Sequence, residues 1–260
     1  MKPESTVASL QSAAKPYKPA NQALQPTVLR RRLSLNVGRH ETRRTGGFVP
    51  AMNITDLWRS SDPMAWEQAL QRYWHFVQPR NLELERALDA LDLKRLQGLN
   101  PQGWYDFLHD EYFRWKYTAP NRYATTTIQL KKYIDGGELD ELESLRQQIL
   151  NIDRNDVRLG LETAKKIRGL GTAGASGLLS LMYPDHFATV DQFVVKALRQ
   201  VSDLPEANAL STMNPLNLSV TDGALLISIL NRKAKENNRL FGTSAWTPRK
   251  IDMVLWTYGR

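Results

Sequence analysis

The sequence predicts an all-α domain that follows a basic, largely irregular N-terminal tail. Beyond about residue 53, apolar residues recur at steps of three and four, the spacing of one buried helix face. Proline, glycine and asparagine separate these segments, as expected at helix boundaries. Residues 1–53 are instead rich in Pro, Gln, Ser and Ala and show little periodicity. We therefore expect residues 1–53 to form a tail or partly ordered extension, and residues 54–260 to form one helical domain.

Individual helices are predicted from capping signals and apolar spacing. In "DPMAWEQALQRYWHFV", Asp62 is expected to cap the helix and Pro63 to occupy its first position. The apolar residues of this segment follow helical steps: Trp66, Leu70, Tyr73, Trp74 and Val77. The same pattern predicts helices in "NLELERALDALDL", "NPQGWYDFLHDEYFRWKY", "YATTTIQLKKYID", "DELESLRQQIL" and "NDVRLGLETAKKI", and in the C-terminal "TDGALLISILNRKAKENNRLF" and "TPRKIDMVLWTYG".

The net charge of +8 is unevenly distributed along the chain. Nine Lys or Arg residues and two Glu residues lie within 1–55, so this stretch carries +7 and the remainder is close to neutral. Two interpretations of the leader stay open: an auxiliary, salt-sensitive contact to nucleic acid, or a solvated tail. An Arg-rich, Ser-containing leader is also compatible with organellar targeting, although its Pro and Gln content and its lack of an apolar face argue against that.

Composition excludes several classes of site. The chain contains no cysteine, which excludes disulfides, thiolate zinc sites, iron–sulfur clusters and a cysteine nucleophile. Its four histidines are scattered, so we expect no metal and no cofactor. No stretch approaches the roughly 18 apolar residues of a membrane helix, and the N-terminus lacks a signal-peptide core. We expect a monomer without membrane contact, located in the cytoplasm, or with the nucleoid in a bacterium.

A glycine-rich turn is predicted in "RGLGTAGAS", after a helix that ends near Ile167. Gly169 and Gly171 permit positive φ values and close backbone approach, and Leu170 between them is expected to point into the core. The next helix starts near Thr172, where free N–H groups and the helix dipole favour an anion such as DNA phosphate. Basic side chains that flank this turn are candidate phosphate ligands, or equally a solvated helix end: Lys165, Lys166 and Arg168.

An acidic residue begins the third helix of this region. The second helix is stopped by Pro184, the chain crosses through "DHFATV", and Asp191 precedes "QFVVKALRQ". Aspartate is among the best N-cap residues, so this position is explained by capping alone. A carboxylate at this position is also suited to stabilising positive charge in a reaction. Both interpretations stay open at this point.

The stretch Lys165–Leu198 resembles the helix-hairpin-helix DNA glycosylase superfamily. The features that carry the resemblance are the hairpin at Gly169 and Gly171, the small-residue helix, the crossover, and the Val-Asp pair, with Asp191 placed 22 positions after Gly169. The resemblance implies an all-α catalytic domain over 54–260 that acts on double-stranded DNA. It further implies that Asp191 assists water in releasing a damaged or modified base, leaving an abasic site, in repair or in defence against modified foreign DNA.

Three departures from the family pattern refine this expectation. Arg168 stands where proline is frequent, which affects the rigidity of the hairpin. Ala173 stands where bifunctional members carry a lysine that forms a Schiff base, so the resemblance implies a monofunctional enzyme without strand cleavage. The absence of cysteine excludes the iron–sulfur cluster that some members carry.

A flipped base needs a pocket and a side chain that fills the gap in the stack. The segment "WYDFLHDEYFRWKYTAPNRYATTT" is the richest in aromatic and basic residues. Candidates for pocket or wedge are Trp115, Lys116, Tyr117, Asn121, Arg122 and Tyr123. We expect Asn121 or Arg122 to act as the wedge, on a loop after Pro120. Most of the aromatic residues are equally explained as core, whereas Lys116, Asn121 and Arg122 are poor core residues.

Two rival functions stay open on the sequence alone. The first is a helix-hairpin-helix protein that binds DNA without catalysis. The second is a helical interaction protein with no role on DNA. The two differ in salt-dependent affinity for duplex DNA, which only the first requires.

Overall fold

The computed structural model describes residues 52–260, and this range is all-α, with no strand in it. The predicted fold class is therefore confirmed. The predicted irregular tail lies outside the described residues except for its last two positions. No helix in the described range is long and apolar enough to cross a membrane. The helices are α1 (Ile54–Arg59), α2 (Pro63–Phe76), α3 (Pro79–Asp89), α4 (Leu93–Gln97), α5 (Pro101–Asp106), α6 (Arg114–Lys116), α7 (Pro120–Asp135), α8 (Leu139–Leu150), α9 (Val157–Ala164), α10 (Thr172–Met182), α11 (Gln192–Leu198), α12 (Ala207–Thr212), α13 (Val220–Phe241) and α14 (Pro248–Gly259).

Helix starts follow the capping signals of the sequence. The Asp62 carboxylate accepts a hydrogen bond from Met64 N at 2.9 Å, and Pro63 occupies the first position of α2, as predicted. The start of α13 is a capping box in which Ser219 and Asp222 each accept a bond from the other's backbone N–H. Such reciprocal bonds satisfy N–H groups that the helix itself leaves without partners.

The aromatic segment between α5 and α6 is helical but not α-helical throughout. Residues Phe107–Phe113 form a π-helix that continues α5 and runs into α6. Because a π-helix holds more residues per turn, it rotates the residues that follow it relative to a regular α-helix. Its core residues are fully buried, namely Phe107, Leu108, Tyr112 and Phe113. Trp115 and Lys116, just after it, are only partly buried.

The expectation that Asn121 and Arg122 lie on a loop is wrong. Both belong to the first turn of α7, which begins at Pro120, and both are exposed. Proline suits the first position of a helix, because its φ is already helical and its missing N–H would have no partner there. The proline therefore starts this helix.

Helix α14 lies at the centre of the C-terminal half, where it packs against α2, α10, α11 and α13. Its contact with α11 is close: a Cβ on Gly259 would overlap the carbonyl oxygen of Phe193. Buried apolar side chains fix the rest of the helix in the core: Ile251, Met253, Val254 and Leu255. This central position also buries two charged residues of α14, Arg249 and Asp252.

The predicted hairpin joins α9 to α10. Gly169 has a φ of +94°, and a Cβ there would lie 2.6 Å from the carbonyl oxygen of Thr126. Leu170 is buried, as expected. Gly171 differs from Gly169, because its φ is −87° and a Cβ there would have no neighbour within 4 Å. Glycine is therefore required by local geometry at the first position only.

Replacement of Gly169 by alanine should lower the free energy of unfolding by about 2 kcal/mol or more, because positive φ and a steric overlap both oppose a side chain. The matched control, Gly171→Ala, should cost less than about 1 kcal/mol. Urea unfolding followed by tryptophan fluorescence measures both. Equal losses in the two variants would contradict the geometry of this turn.

Candidate active site

A cavity of about 410 Å³ lies between the α2–α3 connection, α6, the start of α11, and α14. Its aromatic lining is Tyr73, Phe76, Trp115, Phe193 and Trp256. Charged side chains in its lining include Glu85, Lys116, Asp191, Arg249 and Asp252. Aromatic walls with a few convergent polar groups are typical of small-molecule sites.

Asp191 occupies the N-cap position of α11 at the edge of this cavity. Its Oδ1 accepts hydrogen bonds from Phe193 N at 2.9 Å and Val194 N at 3.5 Å. Its Oδ2 lies 3.6 Å from Lys116 Nζ, and the side chain is 21% exposed. One oxygen therefore caps the helix, while the other pairs with Lys116 at the edge of the cavity.

Lys116 approaches the same acid from α6. Its side chain is only 10% exposed, and burial lowers the pKa of Lys116, although the neighbouring carboxylates of Asp191 and Asp252 oppose that shift. The lysine stem passes over α10, where a Cβ on Gly177 would lie 3.3 Å from Lys116 Cδ. A larger residue at position 177 would crowd the stem.

A buried ion network forms one wall of the cavity. Arg249 Nη1 donates to Asp252 Oδ1 at 2.9 Å, and Nη2 donates to Glu85 Oε1 at 3.3 Å. Glu85 also accepts bonds from the Tyr73 hydroxyl and, at 2.7 Å, from Trp115 Nε1. Burial raises the pKa of Asp252 to about 7, although the Arg249 guanidinium opposes the shift. A buried network of this kind holds its members in fixed positions when their hydrogen bonds are satisfied.

Two serines of α10 fix the backbone that precedes the acid. The Ser176 hydroxyl accepts from Val190 N at 3.0 Å, and the Ser180 hydroxyl lies 2.9 Å from Thr189 Oγ1. Both serines are fully buried. The hairpin's second helix and Asp191 are thus held together by hydrogen bonds as well as by the chain.

The small residues of α10 have a packing role. A Cβ on Gly174 would lie 2.5 Å from the Tyr117 hydroxyl, and one on Gly177 would lie 2.8 Å from the Tyr112 hydroxyl. Tyr112 also donates to the carbonyl oxygen of Gly174. The glycines therefore allow the aromatic segment to approach the backbone of α10.

Two of the six predicted pocket residues, Trp115 and Lys116, line the cavity. The next two residues after Tyr117, Thr118 and Ala119, line it as well. The structure therefore brings the end of the aromatic segment to Asp191. A role of Trp115 and Lys116 in base recognition stays a prediction.

The other four candidates lie elsewhere. Tyr117 donates to the carbonyl oxygen of Gly169 at 3.2 Å, so it supports the hairpin. Tyr123 is partly buried and packs against the ring of His109. Asn121 and Arg122 are exposed at the start of α7 and do not line the cavity, so their action as a wedge stays a prediction.

The basic residues beside the hairpin differ in availability. Lys165 and Lys166 are exposed and form no ion pair within residues 52–260. Arg168 binds the carboxylates of Glu138 and, at 2.9 Å, Glu141. Its charge is therefore balanced inside the fold, and the two lysines are the better candidates for phosphate.

The first turn of α10 has no side-chain cap. Gly171 occupies the N-cap position, where it supplies no acceptor for the backbone N–H groups. Thr172 is buried, and its hydroxyl has no hydrogen-bond partner in the described residues. Ala173, at the position of interest for a Schiff base, is partly buried. This turn therefore has donors that are free to meet an anion.

Comparisons of the chain with protein-family models, curated proteins and solved structures found no match. The resemblance of Lys165–Leu198 to helix-hairpin-helix glycosylases therefore stays an expectation drawn from the sequence. Within residues 52–260, no group of three His, Asp or Glu side chains is placed to hold a metal ion.

The sequence did not reveal the opposite wall of the cavity, which α3 and α14 supply. Glu85 and Arg249 are charged residues in amphipathic helices, so their expected position is the solvent face. The available signal was in "TPRKIDMVLW", where Arg249 and Asp252 share one face of a largely apolar helix. Charges at a spacing of three on such a helix suggest an internal ion pair.

Replacement of Arg249 by methionine should lower the free energy of unfolding by about 3–5 kcal/mol, because it leaves two buried carboxyl groups without their cation. The control is Arg232→Met, which breaks the pair between the half-exposed Arg232 and the partly buried Glu206 at the surface and should cost no more than about 1 kcal/mol. Urea unfolding at neutral pH compares them. A loss at Arg249 no greater than at Arg232 would show that the carboxyl groups of Glu85 and Asp252 do not depend on this cation.

Proposed function

We propose that this protein is a DNA glycosylase of the helix-hairpin-helix type, which releases a damaged or modified base from double-stranded DNA. The observation that carries the proposal is the position of Asp191, held by α10 at a fixed place relative to the glycine hairpin and facing an aromatic cavity. The products would be the free base and DNA with an abasic site.

Asp191 would act on the sugar of the flipped nucleotide. Loss of a base from deoxyribose passes through an oxocarbenium-like state, in which positive charge develops on C1′ and the ring oxygen. The Asp191 Oδ2 is not used for capping; it is ion-paired with Lys116 at the edge of the cavity, where its negative charge would stabilise that positive charge. Backbone bonds to Oδ1 hold the carboxylate in place, so it need not reorganise during the reaction.

The cavity suits a base that has left the helical stack. Rings of Phe76, Trp115 and Trp256 supply flat apolar surface, and Glu85 and Arg249 supply an acceptor and a donor for the base edge. The volume of about 410 Å³ lies within the usual range for small-molecule sites, roughly 300–1,000 Å³. A bulky purine and a hypermodified pyrimidine both remain candidate substrates.

The DNA backbone would be bound at the hairpin. The uncapped first turn of α10 offers N–H groups to a phosphate, and Lys165 and Lys166 stand beside it with their charges unpaired in the described residues. Binding of this kind weakens with salt, because it releases counterions from DNA.

One observation favours the rival function, a helix-hairpin-helix protein that binds DNA without catalysis. Both cap hydrogen bonds of Asp191 are formed, so the residue is fully explained as the start of α11. A protein that used the hairpin only to bind DNA would show the same cap. The two functions predict different effects of the substitution Asp191→Asn on base release.

Asp191→Asn should strongly slow base release while the protein stays folded. Asparagine caps a helix about as well as aspartate, so the free energy of unfolding should change by less than about 0.5 kcal/mol. The rate of base release should fall by about 10²- to 10⁴-fold, because the negative charge at C1′ is lost. Asp191→Ala, the control, should lose the activity and in addition about 1 kcal/mol of stability.

The assay uses duplexes that carry an oxidised guanine, an alkylated purine, uracil or a hypermodified pyrimidine, with alkali to reveal abasic sites. No base release from any duplex, combined with salt-dependent binding that Lys166→Gln weakens, would establish the non-catalytic DNA-binding protein. If the protein does not bind duplex DNA, the remaining function is a helical interaction protein with no role on DNA.

A further inference from the structure

Lys116 places a primary amine beside the candidate acid. Among the cavity-lining residues, which all belong to the described range, it is the one lysine. Its Nζ lies 3.6 Å from Asp191 Oδ2 and makes no hydrogen bond within 3.5 Å to any residue in 52–260. An amine on a side chain that is only 10% exposed, held by one long ion pair and otherwise facing the cavity, needs an explanation, because taking a charged group out of water is unfavourable.

Lys233, another buried lysine of the same domain, has a structural role and serves as a comparison for Lys116. Lys233 is 2% exposed, donates a hydrogen bond to the carbonyl oxygen of Trp58, and pairs with Glu236 at 3.2 Å. Its ammonium is therefore fully engaged by the fold. Lys116 has only the longer ion pair with Asp191, at 3.6 Å, donates no hydrogen bond to a carbonyl oxygen in the described residues, and lines the cavity.

The surroundings of Lys116 favour a reactive amine. The charged groups that face it are Asp191, Asp252 and Arg249. Burial lowers the pKa of Lys116 despite the two carboxyl groups, which increases the fraction of neutral amine. Only the neutral amine has the lone pair that attacks carbon, so desolvation of this kind activates lysine nucleophiles.

We infer that Lys116 Nζ, rather than water, is the nucleophile that attacks C1′ of the flipped nucleotide, with Asp191 as its acid–base partner. The inference rests on the proposed glycosylase function and deepens it. It departs from the expectation drawn from Ala173, since the hairpin itself has no lysine but α6 brings one to the same acid.

The reaction balances without a cofactor. The Nζ–C1′ bond forms as the glycosidic bond breaks, and the base leaves with that electron pair and takes a proton from solvent. Asp191 accepts one proton from the new ammonium and returns it to the sugar ring oxygen as the ring opens, which leaves a protonated imine between Nζ and C1′. The Asp191 carboxylate then takes a proton from C2′, the C2′–H electron pair expels the 3′ phosphate, and water hydrolyses the imine to release the sugar as an unsaturated aldehyde and regenerate the lysine.

The test is borohydride reduction of the full chain mixed with a duplex that contains one abasic site. This probe presents the C1′ aldehyde to the amine whatever base the enzyme releases. The expected result is a covalent protein–DNA adduct whose proteolytic peptide carries the sugar on Lys116. The abasic strand should also be cleaved on its 3′ side when borohydride is absent.

Two variants distinguish a role of the Lys116 amine in the reaction from a role of its positive charge. Lys116→Arg keeps a cation opposite Asp191 but has no amine that forms an imine, so the adduct and strand cleavage should both be lost. Lys235→Gln, the control, removes an exposed lysine of α13 that lies outside both the cavity and the hairpin, and it should keep the adduct at Lys116. Urea unfolding of Lys116→Arg shows whether it has folded, and the peptide map of the wild-type adduct needs no variant at all.

The outcomes distinguish the two proposals. Base release from a lesion duplex without an adduct, or with an adduct on another amine, overturns the role of Lys116 and leaves that of Asp191 intact. Failure to release any base overturns the glycosylase, and the abasic duplex still decides separately whether Lys116 forms an imine. Full strand cleavage by Lys116→Arg would also overturn the inference.

Discussion

The candidate site depends on the ion pairs that the buried Arg249 guanidinium forms. It lies between the carboxyl groups of Glu85 and Asp252, which belong to different helices and would otherwise be two unpaired acids in the core. Asp252 in turn accepts a hydrogen bond from Thr189 N at 2.7 Å. Because Thr189 is only two residues before Asp191, the network in α14 sets the position of the backbone that carries the candidate acid.

The same cation acts on the other side of the cavity through Glu85. This carboxylate accepts from the indole of Trp115, the residue next to Lys116 in α6. The guanidinium of Arg249 also lies over the Trp115 ring, 5.3 Å from its centroid. One ion network thus contacts the two segments that carry the side chains of the proposed reaction. Such an arrangement is costly to bury, so its value lies in fixing geometry more than in net stability.

Local features of this chain were predictable from sequence, whereas the paired charges were not. The cap at Asp191 and the turn at Gly169 depend on residues close in sequence, so their chemistry is visible in a short stretch. Glu85 and Arg249 are 164 positions apart, and no local pattern joins them. The loop expected at Asn121 was wrong for a related reason: proline indicates a boundary, but its neighbours decide on which side the helix lies.

The position of Lys116 follows from how α10 and α6 fit together. Because position 173 is alanine, α10 supplies no amine there. Gly177, one turn later, has no side chain, so the stem of Lys116 crosses α10 at that position. The π-helix before α6 alters the rotation at which Lys116 leaves its own helix. An imine requires an amine within reach of C1′ and a carboxylate beside it, whichever helix supplies each. The absence of lysine from the hairpin therefore does not by itself imply attack by water.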